Sequence, residues 1–68
     1  MDTNSVLILA RKHVGNGAVM ESSARQCLAD AIACYERGDL ESAKHRAAKS
    51  LAYSVGIFHA DYKRAASA

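Results

Sequence analysis

The second half of the chain carries its most regular pattern of apolar and polar positions. Seven apolar residues recur at intervals of three or four and share one side of a helix: Leu40, Ala43, Ala47, Leu51, Val55, Phe58 and Tyr62. This spacing is typical of an amphipathic α-helix. It predicts a helix from Asp39 to about Ala66, roughly 40 Å long at 1.5 Å per residue.

A second apolar stripe precedes the first and predicts a helix from Ala18 or Ser22 to Arg37. Its members are Met20, Ala24, Cys27, Leu28, Ala31 and Tyr35. Gly38 and Asp39 separate the two stripes. Glycine is favoured just after a helix and aspartate at the N-cap of the next. Because this turn is so short, we expect the two helices to be antiparallel neighbours.

The N-terminal segment, from about Asn4 to Val14, contains the apolar run Val6–Ala10. Periodicity alone does not distinguish a short buried strand from a helix. A strand here would have to pair between subunits, since the chain offers no second strand candidate, and we favour a helix. The predicted fold is therefore all-α: an antiparallel helical hairpin with a shorter N-terminal helix, forming a three-helix bundle that dimerisation completes.

The size of the chain bears on its partners. With 68 residues it forms one domain, residues 1–68, and many of its apolar residues are alanine. So small a core is marginal on its own, which favours a partner subunit. The apolar stripe of the long helix extends beyond the hairpin, and further apolar side chains lie beside it. We expect a partner to cover this surface, which comprises Tyr53, Ile57, Phe58 and Tyr62. The leading hypothesis is a non-enzymatic interaction module that forms a homodimer.

Basic side chains on the other side of the long helix suggest an alternative function. The net charge is only +2, but four bases lie away from the apolar stripe: Arg46, Lys49, Lys63 and Arg64. Such a face could contact nucleic-acid phosphates. A solvated helix surface is the simpler interpretation of so thin a row of bases.

Cysteine and histidine positions give no indication of catalysis, metal or cofactor. Cys27 and Cys34 are seven residues apart, about 10.5 Å along one helix, whereas a disulfide needs Cα atoms roughly 4.4–6.8 Å apart. We expect free thiols that pack as small apolar side chains in a reducing compartment, the cytoplasm. No histidine cluster has the spacing of a metal site. We also expect no membrane span, because Val6–Ala10 is too short.

The segment from Cys34 to Leu51 resembles the centre of a tetratricopeptide-type helical hairpin. The matching positions are Tyr35, Gly38, Asp39, Leu40, Ala43, Ala47 and Leu51, and the segment covers about a quarter of the chain. Similar Gly-Asp hairpins occur in other helical families, such as nucleotidyltransferase-associated helical domains. The resemblance implies a helical hairpin and a role in protein interaction.

Overall fold

The computed structural model describes residues 2–14 and 20–56. These residues form three α-helices, α1 (Thr3–His13), α2 (Glu21–Glu36) and α3 (Leu40–Val55), and no strand occurs among them. The predicted all-α class and three-helix bundle are confirmed. The apolar run Val6–Ala10 lies within α1, so the helical alternative is the correct one for this segment.

Local signals account for both ends of α1. The side chain of Asp2 caps the helix by accepting a hydrogen bond from the backbone N–H of Ser5 at 3.3 Å. Three basic residues, Arg11, Lys12 and His13, occupy the last turn. Positive charge there interacts favourably with the negative end of the helix dipole. The segment thus has its own start and stop signals in addition to its apolar residues.

The turn between α2 and α3 confirms the predicted hairpin. Gly38 adopts a left-handed conformation with φ of 82°, which glycine reaches without steric cost. Its N–H donates to the carbonyl oxygen of Tyr35, and the N–H of Asp39 donates to that of Cys34, each at 3.0 Å. The Asp39 carboxylate then accepts from the N–H of Ser42 at 3.2 Å and caps α3. The helix α2 therefore ends and α3 begins within three residues.

The predicted length of α3 was wrong. The helix ends at Val55, and Gly56 follows in the left-handed conformation with φ of 77°. The N–H of Gly56 donates to the carbonyl oxygen of Ala52, which is the usual way a glycine closes a helix. Both α2 and α3 contain 16 residues, so α3 does not extend beyond α2 as predicted.

The interior of the bundle is built mainly from small side chains. The central buried cluster consists of Val6, Leu7, Ala10, Ala31, Ala47 and Ala48, with Leu28 and Ile32 packed against it. Alanines on facing helices let their backbones approach closely. The helix α3 packs against both α2 and α1, whereas α1 and α2 touch much less. The helix α3 therefore has two neighbours.

The buried face of α3 differs from the predicted stripe at both ends. Leu40 and Val55 are exposed, while Ser50 and Ser54 are buried. The Ser50 hydroxyl donates to the carbonyl oxygen of Ala24 across the α2–α3 contact, and the Ser54 hydroxyl donates to the carbonyl oxygen of Ser50. Hydrogen bonding to backbone oxygens is what allows these two polar side chains to be buried.

Candidate interaction groove

An open groove runs between α1 and α2 and is the candidate functional site. It has a volume of about 360 Å³. Four of its lining residues come from α1 and three from α2: Asn4, Leu7, Ile8, Arg11, Ile32, Tyr35 and Glu36. We call this feature the α1–α2 groove.

The groove exists because α1 packs mainly on α3. Three residues of α1 are buried, Val6, Leu7 and Ala10, and the contact of α1 with α3 is much more extensive than its contact with α2. Two large apolar side chains are left facing solvent along the groove. Ile8 is 57% exposed and Tyr35 is 42% exposed. Adjacent exposed apolar side chains on so small a protein indicate a surface that binds something.

The groove has opposite charges at its two ends. The Thr3 hydroxyl donates to the carbonyl oxygen of Leu40 at 3.1 Å, so α1 begins beside the start of α3. Because α2 ends just before α3 begins, Glu36 lies at this same end. Arg11 is seven residues beyond Asn4 on α1, about 10.5 Å further along the helix. Arg11 and Glu36 therefore lie on different walls of the groove and at opposite ends.

The predicted partner surface is only partly placed by the structure. Tyr53 lies on α3, where it is half-buried, and its carbonyl oxygen accepts a hydrogen bond from the N–H of Met20 at 3.1 Å. It does not line the groove. The other three predicted positions, Ile57, Phe58 and Tyr62, lie outside the described residues.

The apolar pattern of the sequence did not indicate that Ile8 and Tyr35 are exposed along the α1–α2 groove. A helical wheel at 100° per residue places Ile8 well away from the direction shared by the buried residues of α1, so its exposure could have been found. Tyr35 falls within the predicted apolar stripe of α2 and carries no such signal. It is exposed because it lies in the last turn of α2, where neighbouring helices leave it uncovered.

Two of the predicted nucleic-acid contacts, Arg46 and Lys49, lie one turn apart on α3. Arg46 is exposed and Lys49 is half-buried. Burial raises the pKa of the Cys27 thiol; the charges of Lys49 and Arg46 act in the opposite direction, and Asp30 adds to the rise. Both bases are thus within electrostatic reach of Cys27 on α2. Lys63 and Arg64 lie outside the described residues.

Both cysteines are free and buried, as predicted. The guanidinium of Arg37 donates to the sulfur of Cys34 at 3.2 Å. Arg37 follows Cys34 by three residues, a spacing that brings side chains together on a helix. Within residues 2–14 and 20–56, no three His, Cys, Asp or Glu side chains are grouped so that they could hold a metal ion.

Comparisons with protein families, curated proteins and solved structures found no match to this chain. Among the described residues, no helix has both the length and the apolar character needed to cross a membrane. The groove and its chemistry are therefore the basis for any functional assignment.

Proposed function

We propose that the protein is a non-enzymatic helical interaction module that forms a homodimer in the cytoplasm through the α1–α2 groove. The observation that carries this proposal is the exposure of Ile8 and Tyr35 along one groove. The buried free thiols favour a reducing compartment. The resemblance of residues 34–51 to a tetratricopeptide-type hairpin agrees with a role in protein interaction.

Burial of the groove residues would supply a substantial driving force. Fully burying one large apolar side chain contributes about 1.5–3 kcal/mol. The protomer's own interior is mostly alanine, and a domain of this size buries too little surface to be very stable alone. Association through the groove therefore adds buried apolar area to a protomer whose alanine-rich sequence buries little of it alone.

The structure does not test the surface that was first predicted to bind a partner. Contact of Tyr53, Ile57, Phe58 and Tyr62 with a partner stays a prediction, since only Tyr53 belongs to the described residues. The seven residues named above as lining the groove do belong to them. The dimer can consequently be tested at positions whose surroundings are known.

Sedimentation velocity at micromolar concentration tests the proposal. We expect the wild-type chain to sediment as a dimer and Ile8→Asp to sediment as a monomer, because the substitution places a charge where an apolar contact is required. Ala29→Asp is the matched control, since Ala29 is an exposed helical residue outside the groove. It should remain dimeric. Far-ultraviolet circular dichroism verifies that each variant is folded.

A wild-type protein that stays monomeric throughout this concentration range would contradict the homodimer. Persistence of the dimer in a folded Ile8→Asp variant would contradict the role of the groove. Nucleic-acid binding through Arg46 and Lys49 is the alternative function. It has less support, because Lys49, one of the two described bases, is half-buried on α3.

A further inference from the structure

The charges at the two ends of the α1–α2 groove point to its occupant and its orientation. We infer that the groove binds the same groove of a second copy, with Arg11 of each copy paired with Glu36 of the other. This inference rests on the proposed function. It goes further by naming the symmetry and the residues that select the partner.

The geometry of the groove permits both ion pairs at once. Arg11 and Glu36 lie on different walls and at opposite ends of the groove. Consider a two-fold axis that lies in the interface and passes at right angles through the midpoint of the line between these residues. Rotation about this axis places Arg11 of one copy beside Glu36 of the other, and Glu36 of the first beside Arg11 of the second. In such an isologous dimer, one Arg11–Glu36 contact requires the other. Ile8 is located between the two charged residues along the groove, so the apolar side chains meet near the axis.

Charge complementarity favours a second copy over a partner of uniform charge. A wholly acidic segment would repel Glu36, and a wholly basic one would repel Arg11. The partner must carry one charge of each sign on either side of an apolar centre, and the groove itself has this arrangement. An apolar centre surrounded by a polar, charged rim is also the usual organisation of a protein interface. Charges at the rim determine orientation more than they determine affinity.

Reversal of one charge tests the pairing. Either Arg11→Glu or Glu36→Arg turns both intersubunit contacts from attractive to repulsive. We expect each single variant to raise the dimer dissociation constant by about tenfold or more at low salt. The double variant Arg11→Glu/Glu36→Arg should dimerise like the wild type, since it restores opposite charges at both contacts.

A mixture of the two single variants separates an intersubunit pairing from any interaction within one chain. In the mixed dimer, the two reversed residues face each other at one contact and the two unchanged residues at the other. Attraction is then restored at both, and we expect a heterodimer with near wild-type affinity. Mixing leaves the charges within each chain unaltered, so an effect confined to single chains cannot produce this recovery.

Lys12→Glu and Glu41→Arg are the matched controls. They make the same changes in net charge at exposed positions outside the groove, and each should dimerise like the wild type. If the wild type is dimeric but the groove reversals behave like these controls, or their mixture fails to recover, the inference is overturned and the proposed function stands. If the wild type is monomeric, both are overturned.

Discussion

The Ser50 hydroxyl lies 2.7 Å from the carbonyl oxygen of Ala24, and both residues are buried where α3 crosses α2. This hydrogen bond joins the two helices of the hairpin at a point from which water is excluded. An apolar side chain at position 50 could not donate to α2. Ser50 thus connects two helices through a backbone oxygen of α2, a role that an apolar–polar pattern does not reveal.

Loss of this hydrogen bond should destabilise the protein. We expect Ser50→Ala to lower the free energy of unfolding by about 1 kcal/mol, the usual net value of an internal hydrogen bond. Ser50→Val should cost more, because its extra methyl groups must also enter a fully packed site. Urea denaturation followed by circular dichroism measures both. Ser22→Ala, at an exposed position of α2, should change the free energy little, and an equal effect there would contradict the assignment.

Enlarging a central alanine tests the close approach of the helices. Ala47 on α3 is completely buried within the central cluster. We expect Ala47→Leu to destabilise the fold by about 1–3 kcal/mol through overpacking. Ala33→Leu makes the same change at an exposed position of α2 and should be nearly neutral. Thermal unfolding compares the pair. A stabilised Ala47→Leu variant would mean that the interior contains space that the close packing of these helices excludes.

Substitution of Gly38 measures the free-energy cost of the left-handed backbone conformation in the hairpin turn. Its φ is 82°, and a Cβ built at this position meets no atom within 4 Å. Any cost of Gly38→Ala therefore comes from the left-handed conformation and not from a clash, and we expect about 1 kcal/mol. Gly38→Asn should cost less, since asparagine tolerates this conformation better. Equal stability of all three proteins in urea would argue against a strained turn.

The N-cap of α3 should make stability depend on pH. Hydrogen bonds from the side chain and backbone of Ser42 lower the pKa of Asp39 below its ordinary value of 3.8. A carboxyl whose pKa is lower in the folded state stabilises the fold above its unfolded pKa, and this contribution disappears as the pH falls through the folded pKa. The stability difference between wild type and Asp39→Ala should thus be constant at neutral pH and shrink below 3.8.

The variant Asp39→Asn separates the effect of the capping hydrogen bond from the effect of the carboxylate charge. Asparagine retains an oxygen acceptor for the N–H of Ser42 but does not titrate. At neutral pH we expect this variant to be close to the wild type in stability, and in acid it should not lose the contribution of this cap. Asp2, which is similarly hydrogen-bonded to Ser5, is present in every variant and cancels from the comparison. Urea midpoints between neutral pH and strong acid provide the measurement.

Nucleic-acid binding makes a separate prediction about Arg46 and Lys49. If these residues contact phosphates, a labelled duplex or single strand binds at low salt, and Arg46→Ala and Lys49→Ala each weaken that binding. The slope of affinity against salt concentration should fall by about one for each lost phosphate contact. Lys12→Ala, on α1, is the control and should leave the slope unchanged. Absence of binding at low salt would eliminate this alternative.

The hairpin was predictable because its signals are local. Gly38 and Asp39 are adjacent in the chain, and each has a strong preference for the place it occupies, after one helix and before the next. The buried alanines Ala24, Ala31, Ala43 and Ala47 belong to the predicted stripes, whereas Ala48 and Ala52, also buried, do not. The end of α3 was harder to predict. The apolar stripe continues past Gly56 to Phe58 and Tyr62 and therefore favoured a longer helix, whereas Gly56 ends α3.

The groove depends on how three helices pack together, which periodicity does not determine. A pattern identifies the apolar face of α1, but not whether that face packs on α2, on α3 or between them. In the structure it packs mostly on α3, and this choice leaves Ile8 and Tyr35 uncovered. The helical wheel could have separated Ile8 from its buried neighbours. Nothing in the local sequence separates Tyr35 from the stripe to which it belongs.

The difference in burial between Leu7 and Ile8 has an evolutionary consequence. Both residues line the groove, but Leu7 is buried in the central cluster, whereas Ile8, the next residue, is mostly exposed. Substitutions at Ile8 or Tyr35 alter the outer surface without disturbing the alanine-rich interior. Selection can therefore change the shape and polarity of the groove while the bundle stays intact, so descendants of this fold are free to diverge in what they recognise before they diverge in structure.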